Sequence, residues 1–356
     1  MHAARVDHVR DFLHVEKLDA FLLTASPDIR WCCGFTGSAG LLLVDRSTAT
    51  LFTDGRYQDQ AADEVSTADI VIYQEGALDH ISEAGLLSHA NAIGIDSSCV
   101  TLAFANEVED LFPDLRLYAV PSPFRERIAQ KETLEIAALR RAQALTDAVF
   151  EELLQLIRPG ITEKEIASEI TCRHLTKGAE GMSFPPIVAS GPNGALPHAS
   201  PTARTIKNGD LVVLDFGCFV DGYASDMTRT VAVGMPSSEA RSAYEVVRLA
   251  QHRAQTRAKA GMPASELDFI GRRVIVDAGY GKSFSHSLGH GIGLRIHEWP
   301  RIGRRCNYAL PENSVITIEP GIYIPDSFGI RIENAVLLTS TGAEQLPASD
   351  TSLIVL

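Results

Sequence analysis

Two aspartates stand eleven positions apart in the segment LVVLDFGCFVDGYASDMTRT, which covers residues 211–230. Asp215 closes an apolar run that is typical of a buried strand, and Asp226 comes where the chain would return as a second strand. The same pattern recurs 104 positions later, where NSVITIEPGIYI aligns with GDLVVLDFGCFV and Glu319 aligns with Asp215. A further carboxylate, Glu333, follows in this copy as Asp226 does in the first. Each copy therefore predicts a β-hairpin with one carboxylate on each strand.

Two such hairpins placed face to face would bring four carboxylates together. Four negative charges in one cleft repel each other and raise each other's pKa values. Because buried charges are paired or coordinate metals, two divalent cations would balance the four charges, and some carboxylates would have to bridge them. Two metal ions about 3.5–4 Å apart can share a water molecule and lower its pKa, so that the resulting hydroxide attacks a carbonyl near neutral pH.

Histidines accumulate in the second copy. The segment FSHSLGHGIGLRIHE contains His286, His290 and His297 among glycines, and His198 lies in GALPHASPT of the first copy. Three histidines within twelve residues favour a role in binding or catalysis over three separate core histidines. One imidazole with four carboxylates is a hard, oxygen-rich ligand set, which favours Mn²⁺ and leaves Co²⁺, Fe²⁺ and Zn²⁺ open.

These residues resemble the pita-bread metallopeptidases, which include aminopeptidase P, prolidase and methionine aminopeptidase. The family's five ligands, Asp, Asp, His, Glu and Glu in that order, match residues in LDFG, YASDMTRT, GHGIG, TIEPG and RIEN, and the resemblance covers about residues 130–356. The matching residues are Asp215, Asp226, His290, Glu319 and Glu333.

The resemblance also implies roles. Asp226 and Glu333 would bridge two metal ions, Asp215 would chelate one of them, and His290 with Glu319 would complete the other. His198 and His297 would hold the substrate and stabilise the tetrahedral intermediate, and Glu319 would carry a proton to the leaving nitrogen. His286 and Arg331 match further residues around the family's metal centre.

The first third of the chain helps to distinguish between the branches of this family. GFTGSAG followed by FTDGRY resembles aminopeptidase P and its close relatives, whereas methionine aminopeptidases usually lack such a domain. Arg56, in the second of these motifs, is interpreted as a structural turn residue, with contact to a substrate or a neighbouring subunit as the alternative. The resemblance implies a homodimer or a higher homo-oligomer.

The hydrophobic pattern of the chain predicts the helices and strands that must position these residues. Residues 4–16 are amphipathic, strands are predicted at 19–25, 40–45, 48–57 and 92–98, and a helix at about 102–111, which together indicate an α/β domain. Two prolines and a charged run at 121–132 indicate a domain boundary near 122–130. We therefore expect an α/β domain over residues 1–125 and a catalytic domain over residues 126–356.

Helix signals also occur throughout residues 126–356, where the predicted pattern is repeated. A helix is predicted from Glu132 to about Ile157, and Thr162 with Glu165 predicts a capping box for the next helix, which ends near Gly178. Two further helices should end at Gly261 and Gly279. The predicted fold class is α+β, a pita-bread domain with an internal pseudo-twofold repeat preceded by a smaller α/β domain.

Composition limits the partners. A net charge of −13 argues against nucleic acid or an anionic membrane as a partner, because both require a basic face. The six cysteines are scattered without a CxxC pair, as in a reduced cytosolic protein, and no apolar run approaches the roughly 18 residues of a membrane span. We expect a soluble, cytoplasmic protein.

The function expected from the sequence is a metal-dependent aminopeptidase that releases the first residue from peptides with proline second, through hydroxide attack on the Xaa-Pro carbonyl. Two alternatives stay open. Prolidase would take only Xaa-Pro dipeptides, and would need a closed cleft and a cationic group for the substrate carboxylate. A pita-bread module without catalysis would bind peptides or proteins, although such modules usually lose ligands that this chain retains.

Overall fold

The computed structural model describes all 356 residues, which fall into two compact units, Met1–Arg125 and Glu126–Leu356. The short helix α6 (Arg125–Ala129) lies at the boundary between them. None of the helices combines the length and the apolar character needed to span a membrane.

The unit Met1–Arg125 contains one six-stranded mixed sheet in the order β4-β3-β2-β1-β5-β6. The pairs β1–β5, β5–β6 and β3–β4 are parallel, and the pairs β1–β2 and β2–β3 are antiparallel. Its elements are α1 (His2–Glu16), β1 (Ala20–Leu23), α2 (Ser26–Cys33), β2 (Leu41–Asp45), β3 (Ala49–Asp54), α3 (Gln58–Glu64), β4 (Asp69–Tyr73), α4 (Ala77–Glu83), β5 (Ala92–Asp96), α5 (Leu102–Leu111) and β6 (Arg116–Val120).

The helix and strands predicted for this unit are confirmed, but both strands at the edges of the sheet escaped prediction. Strand β4 is half-buried along most of its length and β6 is largely exposed, so neither shows the apolar run that marks a buried strand. The alternation of parallel strands with helices is the α/β pattern that the sequence predicts.

The unit Glu126–Leu356 packs small antiparallel sheets against four long helices. Its elements are α6 (Arg125–Ala129), α7 (Thr133–Leu153), α8 (Glu163–Thr176), β7 (Gly181–Met182), β8 (Ile187–Ser190), β9 (Leu211–Phe216), β10 (Cys218–Val220), β11 (Tyr223–Ala224), β12 (Met227–Ala232), α9 (Ser238–Arg257), α10 (Ala264–Asp277), β13 (Gly289–Gly291), β14 (Glu298–Ile302), β15 (Val315–Ile318), β16 (Gly321–Ile324), β17 (Phe328–Arg331), β18 (Asn334–Leu338) and β19 (Ala343–Gln345).

The predicted helix ends are confirmed within a few residues. Thr162 and Glu165 form the predicted capping box at the start of α8. Helices α8 and α10 end one residue before their C-caps, and the glycines that follow, Gly178 and Gly279, adopt φ values of 99° and 89°. These left-handed conformations are disfavoured for residues with a Cβ atom, which explains glycine at both positions.

The two halves of this unit repeat each other in structure as they do in sequence. Strand pairs β9–β12 and β15–β18 are both antiparallel, and each encloses a smaller hairpin, β10–β11 in the first half and β16–β17 in the second. Isolated bridges join Thr162 to Thr205 and Pro263 to Ala309 at equivalent places. The predicted internal repeat is therefore present down to single backbone bridges.

The alternation of side chains along a strand explains how buried strand β9 can present a carboxylate on the face opposite the core. Val212, Leu214 and Phe216 of β9 pack into the core of the first half, among residues of α7, α8 and β12. Successive side chains of a strand point to opposite faces, so Asp215 points away from that core. A second core, built from α9, α10 and the strands of the second half, lies behind Glu319 and Glu333.

The predicted position of the carboxylates along the strands needs a small correction. Asp215 alone lies within a strand. Asp226 and Glu333 each precede the first residue of their strand, and Glu319 follows the last residue of β15. The enclosed hairpins cause this, because the chain must leave the main ladder beside each carboxylate in order to form them.

Gly217 allows the first strand pair to close. A Cβ atom at this position would lie 1.9 Å from the backbone oxygen of Ser225, the residue before Asp226. We expect Gly217→Ala to lower the free energy of unfolding by about 1–3 kcal/mol, the usual cost of overpacking, as measured by urea denaturation. Gly181→Ala is the matched control, since no heavy atom lies within 4 Å of its Cβ position. Equal stability of the two variants would contradict this account.

Candidate active site

Both halves of the unit Glu126–Leu356 line one cleft of about 700 Å³. Every side chain that the sequence singled out for chemistry borders it, although the roles assigned to them stay predictions. These side chains are His198, Asp215, Asp226, His286, His290, His297, Glu319, Arg331 and Glu333.

Potential metal-ligating atoms lie close together at the floor of the cleft. One ligand atom from each of Asp226, His290 and Glu333 lies within 4.8 Å of the other two. The Nε2 atom of His290 is 3.6 Å from Asp226 Oδ2 and 3.4 Å from Glu319 Oε1. Side chains from both copies of the repeat thus share one small volume.

The His290 ring is held with one nitrogen free. Its Nδ1 atom donates to the Gly291 carbonyl at 3.1 Å, which leaves the Nε2 lone pair directed at the carboxylates. Burial, followed by the neighbouring His297, lowers the pKa of His290 to about 4, so the ring is neutral at pH 7. A neutral imidazole whose other nitrogen is fixed by a carbonyl is the form that binds metal ions.

Two of the carboxylates are each held by one oxygen only. Arg331 Nη2 donates to Asp215 Oδ2 at 2.5 Å, and Thr228 Oγ1 donates to Glu333 Oε2 at 2.6 Å. The second oxygens, Asp215 Oδ1 and Glu333 Oε1, are buried without a hydrogen-bond partner. An orphaned buried carboxylate oxygen is costly unless a cation satisfies it, and therefore the residues fit divalent metal ions.

The electrostatics agree with this fit. Burial raises the pKa values of Asp226, Glu319 and Glu333, and the neighbouring carboxylates raise them further. For Glu333 the pKa rises to about 8, with Asp215 as the main charged neighbour. Without a bound cation, these groups would hold protons well above their ordinary pH range.

Arg331 connects Asp215 to Tyr323, a residue that the sequence motifs do not indicate. Its Nη1 atom donates to the Tyr323 hydroxyl at 2.7 Å, and this hydroxyl lies 2.9 Å from His286 Nε2. Because His286 Nδ1 donates to the Ser287 carbonyl, Nε2 accepts from Tyr323. One signal was present in the repeat, where Tyr323 takes the place of Phe219 and so adds a hydroxyl to an aromatic position.

Arg229 is a second missed residue. It is buried, and its Nη1 atom donates to the backbone carbonyls of Thr228 and Glu333 at 2.9 and 2.6 Å. Its Nη2 atom donates to Asn334 and to the Ser349 carbonyl. Arg229 thus ties strand β12 to the backbone of Glu333, and only its place in the DMTRT motif beside Asp226 could have indicated this.

The remaining cleft wall supplies apolar surface and one cation. Phe184, Pro185, Pro186, Ile187 and Ile296 line the cleft. Arg301 lines it as well, is exposed, and forms no ion pair within the chain. The sequence alone does not indicate Arg301, because one arginine on a strand gives no signal by itself.

Arg56 lies in the other unit and has the geometry of a turn residue. Its Nε and Nη2 atoms donate to the two oxygens of Asp54 at 2.9 and 2.7 Å, and its backbone N–H also donates to Asp54. This local bonding agrees with the structural interpretation.

Comparison with known families identifies the chain. The model described as Metallopeptidase family M24 matches residues 137–340, and that of the Creatinase/Prolidase N-terminal domain matches residues 5–128. The chain belongs to metallopeptidase family M24. The predicted fold, an α+β pita-bread catalytic domain with a smaller domain before it, is confirmed, and the family implies divalent metal ions.

Similar proteins of known name cover nearly the whole chain. A solved Xaa-Pro dipeptidase from Bacillus anthracis has a TM-score of 0.97 and 35% identity, with 100% of both chains covered. An Xaa-Pro dipeptidase of Pyrococcus horikoshii is 35% identical over 98% of each chain. A solved X-Pro aminopeptidase from Thermotoga maritima has a TM-score of 0.89 and 37% identity, with 96% of this M24 chain and 98% of that chain covered.

The raised carboxylate pKa values make the metal-free protein sensitive to pH. A group whose pKa is higher in the folded than in the unfolded state stabilises the fold at low pH, and this contribution is lost as pH rises. We expect the free energy of unfolding of the metal-free protein to fall as pH rises from about 5 to 8, measured by urea denaturation. In Glu333→Gln, whose amide oxygen still accepts from Thr228, the decrease should be smaller. Equal pH slopes for both proteins would contradict the assignment.

Proposed function

We propose that this chain is an Xaa-Pro dipeptidase that hydrolyses the bond between a first residue and a C-terminal proline, with two divalent metal ions at its active site. The observation that carries the choice of a dipeptide is Arg301, an unpaired cation on the wall of a cleft whose floor is lined by carboxylates. The names of the relatives from Pyrococcus horikoshii and Bacillus anthracis support the same choice.

Five side chains would hold the two metal ions: Asp215, Asp226, His290, Glu319 and Glu333. When bound, such ions polarise the scissile carbonyl and lower the pKa of a water molecule. Ligand chemistry supports Mn²⁺, since one imidazole and four carboxylates form a hard set, with Co²⁺, Fe²⁺ and Zn²⁺ as the other candidates.

Glu319 is placed to move a proton. Its side chain is 17% exposed, compared with 6% for Asp226 and 11% for Asp215, so it is the most accessible of these three carboxylates to a molecule in the cleft. The nitrogen of an Xaa-Pro bond carries no hydrogen, and it must gain a proton when the bond breaks. Glu319 can accept a proton from the attacking water and deliver it to that nitrogen.

His198 and His297 would bind the substrate carbonyl and stabilise the charge that develops on its oxygen. Both are exposed on the wall of the cleft, and the His297 ring packs edge-on against His290 at a centroid distance of 4.4 Å. Partial burial of the His297 ring in the cleft wall lowers its pKa, which favours the neutral ring, and the neutral ring offers an N–H to an anionic oxygen.

Selection for proline follows from the apolar wall. Phe184, Pro185, Pro186 and Ile187 offer a surface without side-chain hydrogen-bond donors, which suits the pyrrolidine ring. An ordinary peptide bond in the same place would bring an N–H group that this surface cannot satisfy. We infer that proline is accepted at the position after the cleaved bond for this reason.

Arg301 would limit the substrate to two residues. A dipeptide carries its carboxylate on the proline itself, and guanidinium groups bind carboxylates through paired, charge-assisted hydrogen bonds. The sequence favours an aminopeptidase and makes prolidase conditional on a closed cleft and on a cationic group for this carboxylate. Arg301 meets the second of these conditions, and the dipeptidase is proposed on that ground.

The second candidate is the aminopeptidase that accepts longer peptides. It is favoured by the likeness to the Thermotoga maritima X-Pro aminopeptidase and by a second cavity that shares lining residues with the cleft. A substrate chain that continues past the proline would find space there. The non-catalytic alternative is less well supported, because all five matched ligand residues are present in the cleft.

Asp226→Ala tests the metal centre. We expect this variant to retain the fold, because the Asp226 carboxylate forms no side-chain hydrogen bond and lies 3.6 Å from His290 Nε2, and to lose bound metal together with hydrolysis of Ala-Pro. Metal content by mass spectrometry and turnover after chelation and return of Mn²⁺, Co²⁺ or Zn²⁺ are the measurements. Turnover at the parent rate would refute the assignment.

Arg301→Gln tests the choice of substrate. We expect KM for Ala-Pro to rise about tenfold or more, because a charge-assisted hydrogen bond to the carboxylate is lost, while kcat changes little. The matched control is Ala-Pro amide, which lacks the carboxylate and should show the same KM with both proteins. If the parent enzyme cleaves Ala-Pro-Ala-Ala as well as Ala-Pro, the aminopeptidase is the correct assignment.

A further inference from the structure

A second cavity, of about 610 Å³, lies beside the catalytic cleft and is strongly basic. It shares His286, Ser287 and Arg301 with the cleft. The cationic side chains that line it are Arg272, Lys282, Arg301, Arg304 and Arg305, and no carboxylate belongs to its lining. This concentration of positive charge stands in a chain whose net charge is −13.

Only one of these cations has a partner within the chain. Arg272 is buried, pairs with Asp268 at 2.7 Å and donates to the carbonyls of Phe284 and His286. The side chains of the other four, Lys282, Arg301, Arg304 and Arg305, form no ion pair or side-chain hydrogen bond and are exposed at the cavity.

Clustered like charges without counter-charges are unfavourable. Most arginines around the rest of this unit have an acidic partner, as in Arg140–Glu344, Arg173–Glu152 and Arg204–Asp210. In the cavity, Arg304 and Arg305 follow each other in the loop after β14, and the nearby Lys282 and Arg301 add to the same positive potential. An anion that enters relieves this repulsion.

The lining also offers neutral donors. Ser285 and Ser287 border the cavity, and neither hydroxyl bonds another group of the chain. Guanidinium groups with free hydroxyls recognise carboxylate, phosphate and sulfate oxygens by paired hydrogen bonds as well as by charge. We propose that this cavity is an oxyanion-binding subsite, formed chiefly by Arg304, Arg305 and Lys282, next to the catalytic cleft.

Two sources can supply such an oxyanion. One is a free multivalent anion, which would occupy the cavity independently of any substrate. The other is the acidic side chain or terminus of a peptide that continues past the proline, since the shared residue Arg301 joins the cavity to the cleft. The second source rests on the second candidate function, the aminopeptidase that accepts longer peptides, whereas the first source rests on neither candidate function.

Sulfate binding to the Mn²⁺-loaded enzyme tests the subsite without any turnover. The variant is Arg304→Gln with Arg305→Gln, and the control is Arg158→Gln with Arg241→Gln, which removes two exposed arginines that do not line the cavity. By isothermal titration calorimetry, we expect the cavity variant to bind sulfate about tenfold more weakly than the parent, and the control to match the parent. Added NaCl should weaken the parent's binding.

Inhibition constants against Ala-Pro hydrolysis separate the two sources. If the anion comes from a peptide, Ala-Pro-Glu should inhibit more strongly than Ala-Pro-Gln, and the cavity variant should lose this preference while it still hydrolyses Ala-Pro. Weaker sulfate binding in the cavity variant with no peptide preference supports the free anion.

The proposal is overturned if the cavity variant binds sulfate as tightly as the parent. Sulfate would then lie elsewhere, for example at the metal centre. A chain that fails to hydrolyse Ala-Pro but shows the arginine-dependent sulfate binding would refute the proposed function and leave the subsite standing.

Discussion

The rest of the catalytic unit depends on four carboxylates that repel each other inside one cleft. Asp215, Asp226, Glu319 and Glu333 lie in or beside the two strand pairs, and burial alone already raises the pKa values of Asp226, Glu319 and Glu333. The protein compensates only partly, with Arg331 on Asp215 and Thr228 on Glu333. The carboxylate oxygens that remain without a partner are the ones that can bind cations. A set of carboxylates with every oxygen satisfied by the protein would offer none to a metal ion.

Each copy of the repeat alone would provide only half of this site. The first copy contributes two short aspartates, and the second contributes two longer glutamates together with His290. Beyond this, the copies have diverged at single positions that now join them: Arg331 in the second half reaches Asp215 in the first, and Arg229 in the first half reaches the backbone of Glu333 in the second. Because these bonds cross between the halves, the relative position of the carboxylates is fixed by buried polar contacts as well as by apolar packing.

The parts of the site that sequence predicts are those with local signals. Capping residues and glycines mark the helix ends, strand alternation marks Asp215, and the repeat marks its partners. Tyr323, Arg229 and Arg301 carry no such signal, because their importance arises from contacts with residues far away in the chain. The edge strands β4 and β6 were missed for a related reason: an edge strand buries little of its surface, so its sequence need not be apolar.

In the proposed function, substrate length would be set by a different part of the cleft from the part that cleaves the bond. The five proposed metal ligands, Glu319 among them, would act on the Xaa-Pro carbonyl and nitrogen, which are the same in a dipeptide and in a longer peptide. Only the charge after the proline differs, so the discrimination would come from a group such as Arg301 that is not part of the proposed metal centre. A family with one metal centre can therefore include both dipeptidases and aminopeptidases. In this chain Arg304 and Arg305, in the loop after β14, line the cavity that shares Arg301 with the cleft, so a carboxylate that extends past Arg301 would meet further positive charge.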